Sequence, residues 1–230
     1  MLERVTVNLN KQIVEAGLVK LTWGNGSVID RKTSNVYIKP SGVDVDDLVD
    51  SQVSVVSISG SHLSGLKPSV DTDIHLELYR AYDSIGSVVH THSKYCTIFA
   101  QMKRCIPALG TTHADHFYGD IPVVHELLES QITKDYERNT GKSVVDFLKA
   151  SDINPMNIPA ALLPLHGVLT WGETPTKALE NAIAAEICAE MAYKQLLFDR
   201  TEMRRYPNIG KKLLDKHFLR KHGKGRYYGQ

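Results

Sequence analysis

The amino-acid sequence predicts an α/β protein: a single three-layer domain, residues 1–230, with a central mixed, largely antiparallel sheet covered by helices. Three observations predict it. Strand-like and helix-like segments interleave along the whole chain, without a regular βαβ rhythm. No internal repeat, low-complexity linker or break in composition divides it. The chain has 230 residues, 42% hydrophobic and 23% charged, an ordinary globular composition in a length that can bury a substantial core.

The elements follow in order. Val5, Leu9, Ile13 and Ala16 recur at helical spacing and Gly17 offers a stop, which predicts a helix over residues 3–17. Short strands come next at Ser27–Asp30, Val36–Lys39 and Val53–Ile58, separated by turn-rich stretches such as Pro40–Gly42. Asp71 or Thr72 caps a helix that runs to about Tyr82, with Ile74, Leu78 and Ala81 on one face. The stretch VVHTHS, Val88 to Ser93, follows a glycine and is β-branched, so it reads as a strand, with a helix after it from Lys94 to Met102. Beyond the loop ALGTTHADHFYGD lie a short strand, Ile121–Val124, and a helix in two pieces between Glu126 and Ala150. Ala160–Leu165 and Val168–Trp171 form a hairpin or a strand broken at Leu165-His166-Gly167. Thr174 and Pro175 then open a long helix rich in alanine and leucine, to about Arg200, and a basic tail closes the chain.

Bulk properties exclude several classes. A formal net charge of +1 draws the chain as a whole neither to nucleic acid nor to a membrane surface. The opening segment is polar, unlike a secretion signal, and the longest apolar run, Ile158–Leu165, is too short to span a bilayer and holds two prolines. Cys96, Cys105 and Cys188 are odd in number and lack ligand spacing, so they read as reduced thiols of a cytoplasmic protein. The absence of GxGxxG argues against a dinucleotide-binding fold.

The chemistry concentrates in histidines. His90 and His92, two residues apart on a strand, project to one face and can share an ion. His166, at a strand end before a glycine, is the best third ligand, and three histidines at two strand ends suit a catalytic zinc-type site with an open position. Asp71 is a possible fourth contact, with helix capping as its plain alternative. His113, Asp115 and His116 form a competing cluster in a loop, which holds ligand geometry less well than strand ends do. Asp115 is better suited to acid or base work, its pKa pushed up by burial and down by a nearby metal. The turns WGNGS and KPSG offer small residues, N–H groups and hydroxyls for a phosphate. From Lys211 to Arg226, seven lysines and arginines stand against one acid. This tail is a solvated helix face, a nucleic-acid-contacting arm, or the carrier of a tyrosine that acts inside a site.

Taken in order, TWGN, KPSG, KPSxDT, VVHTHS, GTTHADxFYG, HGxxxWG and the terminal LRKHGxxxYYGQ resemble the bacterial L-ribulose-5-phosphate 4-epimerases, of the class II metal-dependent aldolase/epimerase superfamily. The resemblance runs from about Leu18 to Gln230. It implies that His90, His92 and His166 bind one divalent ion per subunit, zinc with manganese as the alternative, and that Asp71 sits beside it and is sometimes counted as a ligand. It implies that Asp115 and Tyr228 are the acid/base pair, and that Gly24, Asn25, Ser41, Gly42, Ser69 and position 70 form the phosphate pocket. It further implies a homotetramer whose site lies at a subunit interface, with the tail tyrosine donated by a neighbour.

The chain departs from that pattern in places. Val70 stands where a second serine is usual, which removes a phosphate hydroxyl. Gly26 is unusual, His116 replaces an aromatic residue, and Pro164 replaces a polar residue near the metal, which puts the orientation of His166 in question. The implied reaction interconverts L-ribulose 5-phosphate and D-xylulose 5-phosphate by breaking and re-forming the C3–C4 bond, a step used in both arabinose and ascorbate breakdown. The rivals are an aldolase of the same superfamily, which carries glutamate at the position of Asp71, an inactive metal-binding relative, and a nucleic-acid-binding protein using the basic tail.

Overall fold

The structure, a computed structural model, describes residues 1–202 and 207–227, and the side chains of 1–198 and 207–227. Seven strands form one sheet: β1 (Asn25–Asp30), β2 (Asn35–Ile38), β3 (Ser54–Ser57), β4 (His62–Ser64), β5 (Ser87–Thr91), β6 (Ala160–Leu163) and β7 (Gly167–Gly172). Their order is β4-β3-β2-β1-β5-β7-β6. Every pairing between them is antiparallel. The mixed character expected of the sheet reduces to one isolated parallel bridge, Val123 to Leu162.

Side chains alternate between two helical layers, as the period of two in a strand requires. Val88, Ala161, Leu163, Leu169 and Trp171 pack with helices α2 (Thr72–Ala81) and α6 (Tyr136–Ala150) through Ile74, Leu78, Val144 and Leu148. Ala160, Leu162 and Val168 meet α3 (Lys94–Gln101) and α7 (Pro175–Glu202) on the other face, where Phe99 and Ala185 are buried. The first helix, α1 (Leu2–Glu15), packs on that second face too, setting Leu9 and Ile13 against Val28 and Val89. Each such aliphatic side chain contributes about 1.5–3 kcal/mol on full burial, so the packing on both faces of the sheet stabilises the strands that carry the site. All five residues of β5 are buried. Gly26 has a structural reason: a Cβ there would lie 2.7 Å from Leu9 Cδ2, and Asn10 bonds both its N–H and its carbonyl, which ties α1 directly onto β1.

Some local expectations change. Ile121–Val124 is not a strand; it makes only isolated bridges from Ile106 to Ile121 and from Val123 to Leu162, and Pro122 has no N–H to give a ladder. The stretch read as the loop ALGTTHADHFYGD contains the short helix α4 (Thr111–Ala114). β4 escapes the sequence pattern because it is a three-residue, exposed edge strand. The two helical pieces are α5 (Glu129–Thr133) and α6, β6 and β7 form the hairpin, and the basic tail folds as α8 (Lys211–His222).

Candidate metal centre

His90, the fourth residue of β5, is buried and faces the layer of α2 and α6, being two residues on from Val88. Its Nδ1 lies 3.1 Å from the Val168 carbonyl of β7. A carbonyl can only accept, so this nitrogen carries the proton and Nε2 is left as a lone pair. His92, one residue beyond β5, places its Nε2 3.2 Å from His90 Nε2. His166 reaches the same point from the β6–β7 turn, and the three ring centroids are 4.8–5.0 Å apart. One nitrogen from each ring lies within 4.8 Å of the other two.

Two glycines permit this convergence. Gly24 has φ +94, and a Cβ on it would come 2.6 Å from the His90 carbonyl oxygen. A Cβ on Gly167 would come 2.5 Å from the Thr91 carbonyl oxygen and press on the rings of His92 and His90. Burial keeps the imidazoles neutral. It lowers the pKa of His90 and His92 and, with the neighbouring rings, brings His166 to about 4. Three neutral nitrogen donors converging at the mouth of a cavity fit a zinc-type ion with a position open to substrate. That cavity, of about 680 Å³, begins at His92 and His166 and extends past Trp23, Gln101, Leu127 and Tyr136.

Asp71 stands next to this centre. It precedes α2 but makes no side-chain cap, so the helix-capping alternative fails. Its Oδ2 instead accepts a 2.7 Å hydrogen bond from Asn25 Nδ2. It is outside the group of mutually close ligand atoms, which comprises the three histidines. Burial opposes ionisation of its carboxyl, but attraction to any proton taken up by His90 and the Asn25 hydrogen bond hold its pKa below the usual range.

The three expected phosphate turns come together. Asn25 Nδ2 also donates to Ser69 Oγ at 3.1 Å. The Ser41 N–H donates to the Lys67 carbonyl at 3.0 Å, and Pro40 bridges to Pro68. Gly24-Asn25, Ser41-Gly42 and Ser69-Val70 therefore flank one surface, on which the Val70 side chain is 62% exposed. Sequence reasoning overlooked the buried Lys39 at this edge. Burial depresses its pKa while the charges of Asp44 and Asp71 oppose the shift. The KPSG motif was its signal, read for hydroxyls and N–H groups and not for an ammonium.

Asp115 lies elsewhere. It ends α4 and turns its carboxylate to α8, where Arg220 Nη2 approaches both oxygens at 3.0–3.1 Å, His217 Nδ1 lies at 3.0 Å and Lys221 Nζ at 3.6 Å. Burial would raise its pKa, but the hydrogen bonds from Arg220 and His217 outweigh it and the carboxyl is held low. The upward shift that burial predicted is thus overcome by cations that spacing alone did not reveal. The competing metal cluster around it does not form: His113 Nε2 bonds the Gly119 carbonyl at 2.7 Å, and His116 turns toward Asn181. Tyr228 lies outside the described residues.

Comparison with known proteins agrees with this fold. Residues 4–193 match the model of the family described as the class II aldolase and adducin N-terminal domain. Among solved structures, an L-fuculose 1-phosphate aldolase superposes with a TM-score of 0.76 at 24% identity, over 94% of this chain and 93% of that one. YgbL from Escherichia coli does so with 0.74 at 22% identity, over 94% and 96%. The L-fuculose 1-phosphate aldolase from Glaciozyma antarctica PI12 gives 0.74 at 19% identity, over 94% and 79%.

Proposed function

Since the chain belongs to the class II aldolase and adducin N-terminal domain family, we propose that it is an L-ribulose-5-phosphate 4-epimerase, a homotetramer binding one zinc ion per subunit. The observation that carries this reading is the convergence of His90, His92 and His166 beside Asp71, which Asn25 joins to the turn at Ser69. An aspartate at position 71, where the aldolases of the resemblance have glutamate, and the terminal YYGQ favour epimerase over aldolase. Three imidazoles suit zinc better than manganese, which prefers oxygen ligands.

The carbon to be inverted has no acidic proton, so the C3–C4 bond must break and re-form. A bound divalent ion supplies Lewis acidity that polarises the ketose oxygens. His90, His92 and His166 hold that ion, and Asn25 keeps Asp71 ionised and oriented beside it. The turns at Gly24-Asn25, Ser41-Gly42 and Ser69 hold the phosphate, so the glycolaldehyde phosphate half rotates without escaping. Asp115 and Tyr228 serve opposite faces, one taking the C4 hydroxyl proton and the other returning it. Asp115, held ionised by Arg220 and His217, can accept that proton, and the same contacts make it a weaker base than a free carboxylate. It faces α8 and not the cavity at the histidines, and a homotetramer with its site at a subunit interface would let it meet a neighbour's histidines. The basic tail is taken up in the same way: Arg220 and Lys221 are directed to Asp115, which disfavours a nucleic-acid arm.

The test is turnover of L-ribulose 5-phosphate by the zinc-loaded protein, with D-xylulose 5-phosphate and free glycolaldehyde phosphate followed separately. Metal-dependent xylulose phosphate without free aldehyde is expected. Accumulating aldehyde makes the protein an aldolase, and inertness toward the pentulose phosphate refutes the substrate assignment.

A further inference from the structure

The ligands of the centre are supported from behind in different ways. His90 leans on a backbone carbonyl, an acceptor that β7 offers whatever its side chains. The turn that presents His166 has nothing comparable of its own. Pro164 and Leu165 are apolar, and Leu165 is left-handed with φ 62. The partner at His166 Nδ1 comes from another layer: the Tyr136 hydroxyl lies 3.4 Å away, and the two rings stack at 6.3 Å with an interplanar angle of 29°.

Tyr136 is itself held in place. It opens α6 directly after Asp135, which is left-handed at φ 56. The Asn139 side chain closes this turn on the Gln131 and Lys134 carbonyls. Thr140, one turn along, donates to the Tyr136 carbonyl at 2.8 Å. The phenol oxygen is within reach of the His166 Nδ1–H and can accept it.

We propose that Tyr136 is a positioning residue for the metal: it accepts the Nδ1–H of His166, fixing the ring and the tautomer whose Nε2 lone pair meets the ion, and its backbone is held at the start of α6 by Thr140. This supplies the orientation that Pro164 removes from the histidine's own turn. It rests on the reading of the three histidines as a metal centre. Outer partners of this kind commonly contribute about 10–100-fold in metal affinity.

The experiment measures zinc affinity of the full-length chain by competition with a chromophoric chelator, together with the visible absorption of the cobalt-loaded protein. Tyr136→Phe keeps the stacked ring and loses the hydroxyl. It is expected to weaken zinc binding by about 10–100-fold and to shift the cobalt bands, with the metal-free melting temperature unchanged. Thr140→Val is expected to act in the same direction with a smaller loss, and it decides the matter should Tyr136→Phe fail to fold. Affinity within about twofold of the parent, with an unshifted cobalt spectrum, overturns the role of Tyr136 while leaving the metal centre standing. Failure of the parent chain to bind zinc overturns the metal centre, and this inference with it.

Discussion

The histidine end of β5 and the helix α8 contribute to the proposed chemistry by different physical means. At β5, backbone and core do the positioning: the strand is buried on both faces, neighbouring strands hold it on either side, and glycines at 24 and 167 let the chains close. At α8, side chains do it. Leu214 and Phe218 are its buried residues, and the remaining docking is polar, through Asp115 with Arg220, His217 and Lys221, and through Tyr118 with Lys211 and Asp215. The difference teaches that the proposed metal ligands sit on the buried sheet, while the proposed acid/base residue Asp115 sits in a peripheral, charge-held layer.

If so, the two functions separate on mutation. The largest effect is expected for His92→Ala, an exposed position whose loss spares the core. Zinc affinity should fall by more than the ~10–100-fold attributed to an outer partner, with metal-free stability retained, as chelator competition and thermal melting would reveal. Retained zinc affinity would remove the metal centre from β5. Asp115→Asn comes next: turnover is expected to drop by about 10²–10⁴-fold, the range of general acid–base catalysis, with zinc affinity unchanged. Loss of zinc in that variant would show that the regions are not separate. Arg220→Ala should act in the same direction, more weakly, because His217 and Lys221 remain beside the carboxylate.

How much of this is legible in the sequence depends on the range of the interaction. His90 and His92 are visible because a period of two is a local property of a strand, and His166 because a glycine must follow it where strands close. The long helix α7 is equally plain, from Thr174, Pro175 and its alanines. Lys39, Tyr136 and Arg220 are not visible as partners, since each acts across layers on residues 30 to 105 positions away. Nothing in the periodicity of α6 or α8 marks such a contact. β4 and the bridges around Ile121 are hidden for the opposite reason, being too short to establish a period.

Acid titration of the metal-free protein sharpens the comparison, with the smallest expected effect. Burial pushes the pKa of His75 to about 3 and of His166 to about 4, and lowers that of His90, against about 6.5 in an unfolded chain. Between these limits the unfolded chain binds protons that the folded chain refuses, so stability must fall as pH falls. It should be level above pH 7, decline from about 6.5 to about 4, and decline further below 3.8, where Asp71 and Asp115 lose the advantage of their lowered pKa values. Urea midpoints measured across this range would show it, and His166→Asn should flatten part of the slope between 6.5 and 4. A midpoint constant from pH 8 to 4 would mean that water already reaches the imidazoles in the metal-free chain. The sheet would then be no more preorganised than α8, and the contrast between the two regions would collapse.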